Sequence, residues 1–585
     1  MNKLAGRYSP LLVLAAVQLV VILLAPSTAP TTSTVTIGTS ATSPGSTTGT
    51  GVATTTGPTS ASHPATAASG RPGGSAGPTS GPGTSPSGRG TATSGPVSAS
   101  GVTRCPGTQP APWAYMPPCV RFSGTNGGGT MPGVTSKDID YVWYESGSLP
   151  PALQAIGAST GLSYTPDQLC YAMTAYTKDL NKYWQLYGRK FVAEDGPGSH
   201  SGKAKGSKCH TNYFQGSGCG ATDAACWRAD ADAILAMKPR PAFVIGSTEA
   251  VTPFLDELSK HGELVLGQGG ADAFTEPRAP YIWDWQMSSE QVARIGATYF
   301  CKKLVGRPVS FAGSAVMHSG TNPLKPPTRK IGVVYDVGVP DTTTAAVKAF
   351  RQTLAACGDK NVVALPYAAD LNQVPTEMAT IASKIKIERL TTVYAYMDFI
   401  SAIPLSSYLE SEGWQPEIVI SGAAAIDDDR LAQLMNQDVW RHTFGLSLTD
   451  FSAPEHDYDF YKAYQVSGEP GTVMKLANNM WPYFWMAGDM FQTAGPSPTI
   501  SSIESGMFSL PPMGGTPLNA TMKYGTPGNR FLGQQDVREV WYCPTKVSPE
   551  DNKKGVYVPV LGGRRFEANA IDGKTRVFPQ GVCGV

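Results

Sequence analysis

The sequence predicts an α/β fold of two Rossmann-like lobes, each built on a parallel sheet. The prediction comes from two runs of alternating strand and helix patterns, at 134–286 and 330–446. In the second run, short β-branched segments such as KIGVVY (330–335) precede amphipathic helical segments, a pattern typical of βαβ units. The runs join near Gln286, so we expect hinge strands and a cleft between the lobes. In open sheets of this class, ligands bind beyond the carboxyl ends of the strands.

Apolar periodicity predicts the individual elements. The first run contains predicted strands at 139–144, 189–195, 241–246 and 263–268, with helices at 167–184, 223–237 and 251–262. The second run contains predicted strands at 330–335, 391–396 and 417–422. Each of these is followed by a helix, the first ending at Cys357 and the last within DDDRLAQLMNQ (427–437).

The N-terminus carries an export signal. Lys3 and Arg7 precede an uncharged run at 10–26. Its roughly 15 apolar residues suit a signal peptide and fall short of the about 20 needed for a comfortable membrane span. We therefore interpret residues 1–29 as a secretory signal, with a permanent N-terminal anchor as the open alternative. Either interpretation places the protein outside the cytoplasm, secreted or at the cell surface, and tethered to the membrane if the signal is uncleaved.

Residues 30–104 consist almost entirely of Ser, Thr, Gly, Pro and Ala. So few large apolar groups cannot offset the entropy lost on ordering, which predicts a disordered linker. The remaining 105–585 is too long for one core and is predicted to be a bilobal domain. The expected boundaries are 134–286 plus 450–510 for lobe 1, and 287–449 plus 511–585 for lobe 2.

Charge gives no case for nucleic acid as a partner, because the formal net charge is only +1. No apolar run after residue 26 is long enough to cross a bilayer, so any membrane contact is expected through the N-terminal segment only. We expect a monomer without a cofactor.

The even number of cysteines in an exported chain favours disulfides. We predict the pairs Cys301–Cys357, Cys105–Cys119 and Cys543–Cys583, and leave the pairing of Cys170, Cys209, Cys219 and Cys226 open. A zinc site involving the last three with His200 and His210 is disfavoured, because tight Cys-x₂₋₄-Cys pairs are absent.

An ordered set of segments resembles a known family. GVTSKDIDYVW, FVIGSTEAVTPFLDELSKHGELVLGQGG, TRKIGVVYDVG and MWPYFWMAGDMFQTAG (480–495) are similar to segments of type I periplasmic substrate-binding proteins. Within this family, the segments resemble the branched-chain amino-acid branch (leucine-binding protein-like) in its actinobacterial form. The similarity covers about 134–545. It implies the type I periplasmic binding protein fold, closure on a small-molecule ligand and delivery to an ABC permease.

The resemblance also implies a pocket lined by loops at strand ends. Carried over to this sequence, the ligand-binding residues are Ser247, Thr248, Gly269, Gly270, Val339, Tyr396 and Asp398. Each has a structural alternative: Ser247 and Thr248 can cap a helix, and Tyr396 can be a core aromatic. Asp427, Asp428 and Asp429 are interpreted as a helix cap and not as a metal site.

Two departures bear on the ligand. Where amino-acid binders of this family place an acidic residue, this chain reads Gly422-Ala423-Ala424-Ala425, and DVGVPD lacks the family's aromatic residue. A buried ammonium without an anionic partner is costly. Either Asp398 or Glu249 therefore substitutes, the ligand is not an amino acid, or the pocket is degenerate. Three tryptophans lie near predicted strand ends and would suit an apolar or aromatic ligand: Trp143, Trp283 and Trp285.

No catalytic motif with a suitable context is present, which argues against an enzyme. The chain lacks HExxH and a P-loop, and its GGSAG (73–77) lies in the linker, without the strand and helix that a nucleophile elbow needs. We therefore predict an extracytoplasmic solute-binding protein for an amino acid or related small organic molecule. The alternative is a stalk-borne cell-surface interaction or sensing protein with a degenerate pocket.

Overall fold

A computed structural model describes most of the chain from residue 101 onward. All of the described residues lie within one compact unit of the chain. The predicted signal and nearly all of the predicted linker thus lie outside the described residues. So do the segments 148–150, 203–208, 210, 221–222, 247–251, 268–269, 338–339, 369, 449–451, 574–582 and 584–585.

Strands and helices alternate through most of the described chain. The strands are β1 (Val102–Thr108), β2 (Pro118–Phe122), β3 (Asp138–Glu145), β4 (Lys190–Glu194), β5 (Ser201–Gly202), β6 (Tyr213–Gln215), β7 (Phe243–Gly246), β8 (Val265–Leu266), β9 (Ile282–Trp283), β10 (Ile331–Asp336), β11 (Val363–Tyr367), β12 (Thr392–Tyr396), β13 (Glu417–Ile420), β14 (Thr443–Ser447), β15 (Arg538–Val547) and β16 (Lys554–Pro559). The helices are α1 (Pro151–Thr160), α2 (Pro166–Tyr183), α3 (Ala224–Leu235), α4 (Thr252–Lys260), α5 (Asp272–Thr275), α6 (Ser289–Lys303), α7 (Ser314–Met317), α8 (Pro340–Ala356), α9 (Val374–Ile387), α10 (Phe399–Ser411), α11 (Asp429–Ala432), α12 (Gln437–Trp440), α13 (Asp459–Ser467), α14 (Ala477–Ala494) and α15 (Ile500–Ser509).

The first lobe is built around β3. This strand pairs in parallel with β4 along its first half, with β6 at its carboxyl end and with β7 on its other side. Strands β8 and β9 extend the parallel sheet beyond β7, and β5 adds an antiparallel edge next to β6. The carboxyl ends of the parallel strands therefore meet along one edge of the sheet.

The second lobe has a seven-stranded sheet in the order β11-β10-β12-β13-β14-β15-β16. The first five strands are parallel, and β15 and β16 are antiparallel additions. The fold class predicted from the sequence, two α/β lobes with parallel sheets, is the one observed.

Helix α2 shows how local sequence sets an element. Thr165 caps it and forms a reciprocal capping box with Gln168, which satisfies two otherwise unpaired backbone donors. The apolar positions recur every three or four residues and are buried, as predicted, at Leu169, Met173, Tyr176 and Leu180.

Two boundaries differ from those expected. Met513, Tyr524 and Phe531 lie in the hydrophobic core of lobe 1, although the sequence places 511–585 in lobe 2. Arg104 already pairs with Val120 across β1 and β2, so regular structure begins before the expected end of the linker at residue 104.

One predicted helix is broken in two. DDDRLAQLMNQ forms only α11 and the start of α12, because the Asn436 side chain accepts from the amides of Asp438 and Val439 and begins a new helix. Asp428 caps α11 by accepting from the amides of Arg430 and Leu431, as the sequence predicts for this acidic cluster.

Five disulfides join all ten cysteines. Three of them, Cys105–Cys119, Cys301–Cys357 and Cys543–Cys583, are the pairs predicted from the sequence. The remaining pairs are Cys170–Cys209 and Cys219–Cys226, so the cysteines considered for zinc are bonded to each other or to α2. Among the described residues, no group of three or more His, Cys, Asp or Glu is placed to hold a metal ion.

None of the helices formed by the described residues is both long enough and apolar enough to cross a bilayer.

Candidate functional site

The two lobes are joined by segments that cross between them close to one another. The amide of Asp284, after β9, donates to the carbonyl of Phe531 at 3.0 Å, and the amide of Gly533 donates back to Asp284 at 3.0 Å. The carbonyl of Leu448, after β14, accepts from the side chains of Gln534 at 2.9 Å and Arg565 at 3.0 Å. These crossings start at the carboxyl ends of β9 and β14, where ligands bind in sheets of this class.

Two of the predicted ligand residues, one from each lobe, meet at the start of α6. The amide of Ser289 donates to the carbonyl of Gly270 at 2.8 Å. The Tyr396 hydroxyl donates to the carbonyl of Ser289 at 2.9 Å. Gly270 has a φ of 57°, which favours glycine at this turn after β8. The structure therefore brings Gly270 and Tyr396 together through Ser289.

Tyr396 is itself buried, with 4% of its surface exposed. Burial, with a smaller contribution from the nearby Glu290, raises the pKa of its phenol above the usual range. It is a neutral hydrogen-bond donor in the wall between the lobes.

Asp398 caps α10 and is held by internal donors. One carboxylate oxygen accepts from the amide of Ser401 at 2.8 Å. The other accepts from the Ser401 hydroxyl at 2.8 Å and from the Tyr367 hydroxyl at 2.6 Å. Three of its roughly four acceptor positions are therefore occupied.

The other predicted ligand residues lie outside the described part of the chain. These are Ser247, Thr248, Gly269 and Val339, together with Glu249, the second candidate partner for an ammonium.

The loop after β13 packs against a crossing segment. A Cβ on Gly422 would lie 2.7 Å from the backbone nitrogen of Leu448, so only glycine fits there. Ala424 and Ala425 adopt left-handed conformations with φ of 51° and 57°. The loop is fixed by its backbone against the crossing at Leu448.

Aromatic residues lie at the carboxyl ends of the lobe 1 strands. Trp285 is half-buried beside the lobe 1 core, whereas Trp283 is fully buried against Tyr524 and Phe531 and serves packing. A Cβ on Gly267 would lie 2.4 Å from the carbonyl oxygen of Gly246, so Gly267 is packed against the end of β7. Of the two, Trp285 is the better placed to meet a ligand.

The last residue of β3, Glu145, is a buried carboxylate that the sequence alone does not indicate as a site residue. Glu145 has 9% of its surface exposed. One of its oxygens accepts from the Tyr164 hydroxyl at 2.7 Å, and the other accepts from the Trp143 indole at 3.2 Å. Burial raises the pKa of Glu145, and the two hydrogen bonds oppose that rise. The available signal was an acidic residue ending the apolar run IDYVWYE.

Polar contacts also cross from α6 to α5. The Glu290 carboxylate accepts from the amides of Asp272 at 2.9 Å and Ala273 at 3.1 Å. Burial, with Glu290 next, raises the pKa of Asp272 to about 7, while Arg294 at 3.9 Å opposes the rise.

A cavity of about 560 Å³ lies elsewhere, at the outer surface of lobe 2. Arg389 and Trp414, two of its lining residues, precede β12 and β13, so the cavity is at the amino ends of these strands. Its position is opposite to the strand edge where a ligand is expected.

No family model and no curated protein matches the chain. Among solved structures, a solute-binding protein of an ABC transporter from Rhodopseudomonas palustris BisB5, in complex with 3,4-dihydroxy benzoic acid, is 13% identical with a TM-score of 0.46. The match covers 74% of this chain and 97% of the Rhodopseudomonas chain. An ABC transporter substrate-binding protein from Aeropyrum pernix is 12% identical with a TM-score of 0.48. The match covers 74% of this chain and 96% of the Aeropyrum chain. A fatty acid ABC transporter substrate-binding protein from Thermomonospora curvata is 14% identical with a TM-score of 0.44. The match covers 77% of this chain and 98% of the Thermomonospora chain. Because these identities and TM-scores are low, we assign no ligand and no partner to this chain from the three proteins.

Proposed function

We propose that the protein is an extracytoplasmic solute-binding protein that captures a small organic molecule between its lobes and delivers it to an ABC-type permease. One observation supports this proposal. The segments that cross between the two lobes start at the carboxyl ends of parallel strands, where sheets of this class bind ligands. Five disulfides support an oxidising, extracytoplasmic location.

The proposed binding surface combines rigid aromatic and backbone groups. Trp285 supplies apolar area, while Gly270 allows close approach to the backbone. Asp398 serves its own helix, which weakens it as the partner for a ligand ammonium.

A thermal-shift screen of the full chain, purified after export, tests this function. Amino acids, amines, hydroxy acids, aromatic acids and sugars form the panel. A ligand present at a hundredfold its Kd is expected to stabilise the protein by about 2.7 kcal/mol. A panel without any stabilising compound contradicts the proposal.

The alternative is a surface interaction or sensing protein with a degenerate pocket. One observation favours it: Tyr396 and Asp398 are both engaged by internal hydrogen bonds. The same screen separates the two functions, because a degenerate pocket gives no stabilisation by any small molecule.

A further inference from the structure

Glu145 lies where the first strand of lobe 1 ends. Its side chain is on the face of the sheet that carries Trp143, which stacks on Phe484 of α14 with ring centroids 6.1 Å apart. Tyr164, which donates to Glu145, directly precedes the cap of α2. Two elements that converge at the carboxyl edge of the sheet thus hold the carboxylate.

Glu145 has no cationic partner among the described residues. Its two hydrogen bonds come from neutral donors, and a third aromatic residue, the buried Tyr213, lies close enough for Glu145 to raise the pKa of its phenol. A buried carboxylate is costly unless it is paired, and neutral hydrogen bonds offset only part of that cost. Two donors also leave about two of the four acceptor positions of the carboxylate open.

The position of Glu145 suits the end of a small ligand. Only β7 lies between β3 and β8, so Glu145 at the end of β3 and Gly267 just after β8 are roughly 10 Å apart at ordinary strand spacing. Tyr483, next to Gly267, belongs to the same aromatic core as Trp143. A molecule of a few carbon atoms spans this distance.

We propose that Glu145 is the anionic partner for an organic ammonium ligand, whose N–H groups donate to the carboxylate while its apolar body lies toward Trp285. This inference rests on the proposed function and names its ligand class. It supplies from lobe 1 the acidic group that the loop Gly422–Ala425 lacks in lobe 2.

The protonation of Glu145 gives the interaction a pH dependence. Burial raises the pKa of the carboxyl, so the empty protein holds it protonated to a higher pH than an exposed glutamate. An ammonium ligand favours the ionised form and releases that proton on binding. Affinity for the ligand therefore increases as pH rises through the pKa of Glu145.

Calorimetric titration of the full chain with matched amines and alcohols tests the inference. The probes are 3-methylbutylamine against 3-methylbutanol, and phenethylamine against 2-phenylethanol, with L-leucine as an amino acid. The variant Glu145→Gln keeps the shape and one acceptor while removing the charge. Asp179→Asn is the matched control, because Asp179 is a buried carboxylate about 14 residues along α2 from its cap, roughly 20 Å from Tyr164.

We expect at least one amine to bind the unaltered protein and Asp179→Asn equally, and its alcohol to bind more weakly. Glu145→Gln is expected to weaken amine binding roughly tenfold or more and to abolish the rise with pH. Equal amine binding by Glu145→Gln overturns the inference, as does a protein that binds only neutral or anionic compounds. In both cases the solute-binding function stands. If no compound of any class binds, both the inference and the proposed function fail.

Discussion

Two buried carboxylates of lobe 2 are paired with cations, whereas two of lobe 1 have no cationic partner among the described residues. In lobe 2, Glu417 is fully buried and accepts from Arg329 at 2.7 and 2.8 Å, and Glu539 accepts from Lys303 at 2.6 Å. In lobe 1, Glu263 accepts from Arg240 at 2.6 Å, but Glu145 is held by neutral donors only among the described residues. Asp489 accepts from the Trp184 indole through one oxygen, and its other oxygen has no partner within that part of the chain.

Compensated and uncompensated charges have different consequences. A buried ion pair fixes local structure, because removing either partner exposes the other to the full cost of burial. An uncompensated carboxylate lowers stability at neutral pH and is open to a cationic ligand. We infer that the polar groups of lobe 2 hold its frame, whereas lobe 1 keeps a carboxylate for recognition.

The largest effect is expected from breaking the Glu417 pair. Arg329→Leu leaves a fully buried carboxylate without its cation and should lower the free energy of unfolding by about 3–5 kcal/mol. Chemical denaturation measures it. Lys330→Ala, at the next residue, breaks the exposed pair with Glu388 and should cost only about 0–1 kcal/mol. Similar losses in the two variants would contradict the role of burial.

Two disulfides, one from each lobe, differ strongly in the length of chain they close. Replacing Cys301 and Cys357 by Ala removes a crosslink across 56 residues, and we expect a loss of about 2–4 kcal/mol. Replacing Cys219 and Cys226, which are 7 residues apart, should cost less, since the entropy of loop closure grows with length. Denaturation of both double variants checks the order, and the reverse order would show that strain or packing dominates.

Asp179 in lobe 1 gives the next effect, with the opposite sign. Burial raises its pKa to about 8, and neither of its oxygens has a hydrogen-bond partner in the part of the chain that the structure describes. An unfolded Asp ionises near pH 4, at about 3.9. Between about pH 4 and 8 the unfolded chain therefore loses a proton that the folded protein keeps, and stability falls as pH rises. Asp179→Asn should remove this slope and stabilise the protein at pH 8 by about 1–3 kcal/mol. An unchanged slope in denaturation at several pH values would contradict the assignment.

The smallest effect is expected at Asp398. Asp398→Ala removes the cap of α10 and should cost about 1 kcal/mol, whereas Asp398→Asn keeps an acceptor and should cost less. If Asp398→Asn, which keeps the cap, weakens ligand binding as much as Asp398→Ala does, then the carboxylate serves the ligand as well as the helix. Denaturation and calorimetry on the same samples separate the two roles.

Local patterns predicted much of the fold, and non-local pairing explains what was missed. The sequence predicts KIGVVY and TTVYAY as buried parallel strands, because β-branched and aromatic runs followed by helical periodicity leave few alternatives. The edge strand β11 was missed because VALPY contains Pro366, which is tolerated only where a ladder donor is not needed. The segment 511–531 was misplaced because its packing against lobe 1 depends on contacts far apart in sequence.

The site was less predictable than the fold. The sequence suggested Gly270 and Tyr396, and the structure joins them through Ser289. It could not show that Asp398 serves its own helix, because capping and ligand binding use the same residue types at strand ends. The sequence does not single out Glu145, because only tertiary structure shows that this strand-end acid is buried without a cation among the described residues.

Hydrogen exchange of the full chain, with and without the compound that gives the largest thermal shift, tests the central claim most directly. Binding between the lobes predicts slowed exchange in peptides spanning 264–271, 283–290, 394–398 and 480–486, with 383–389 at the outer cavity unchanged. Slowed exchange confined to 383–389 and the neighbouring Trp414 would instead place the ligand at that cavity and contradict binding in the cleft.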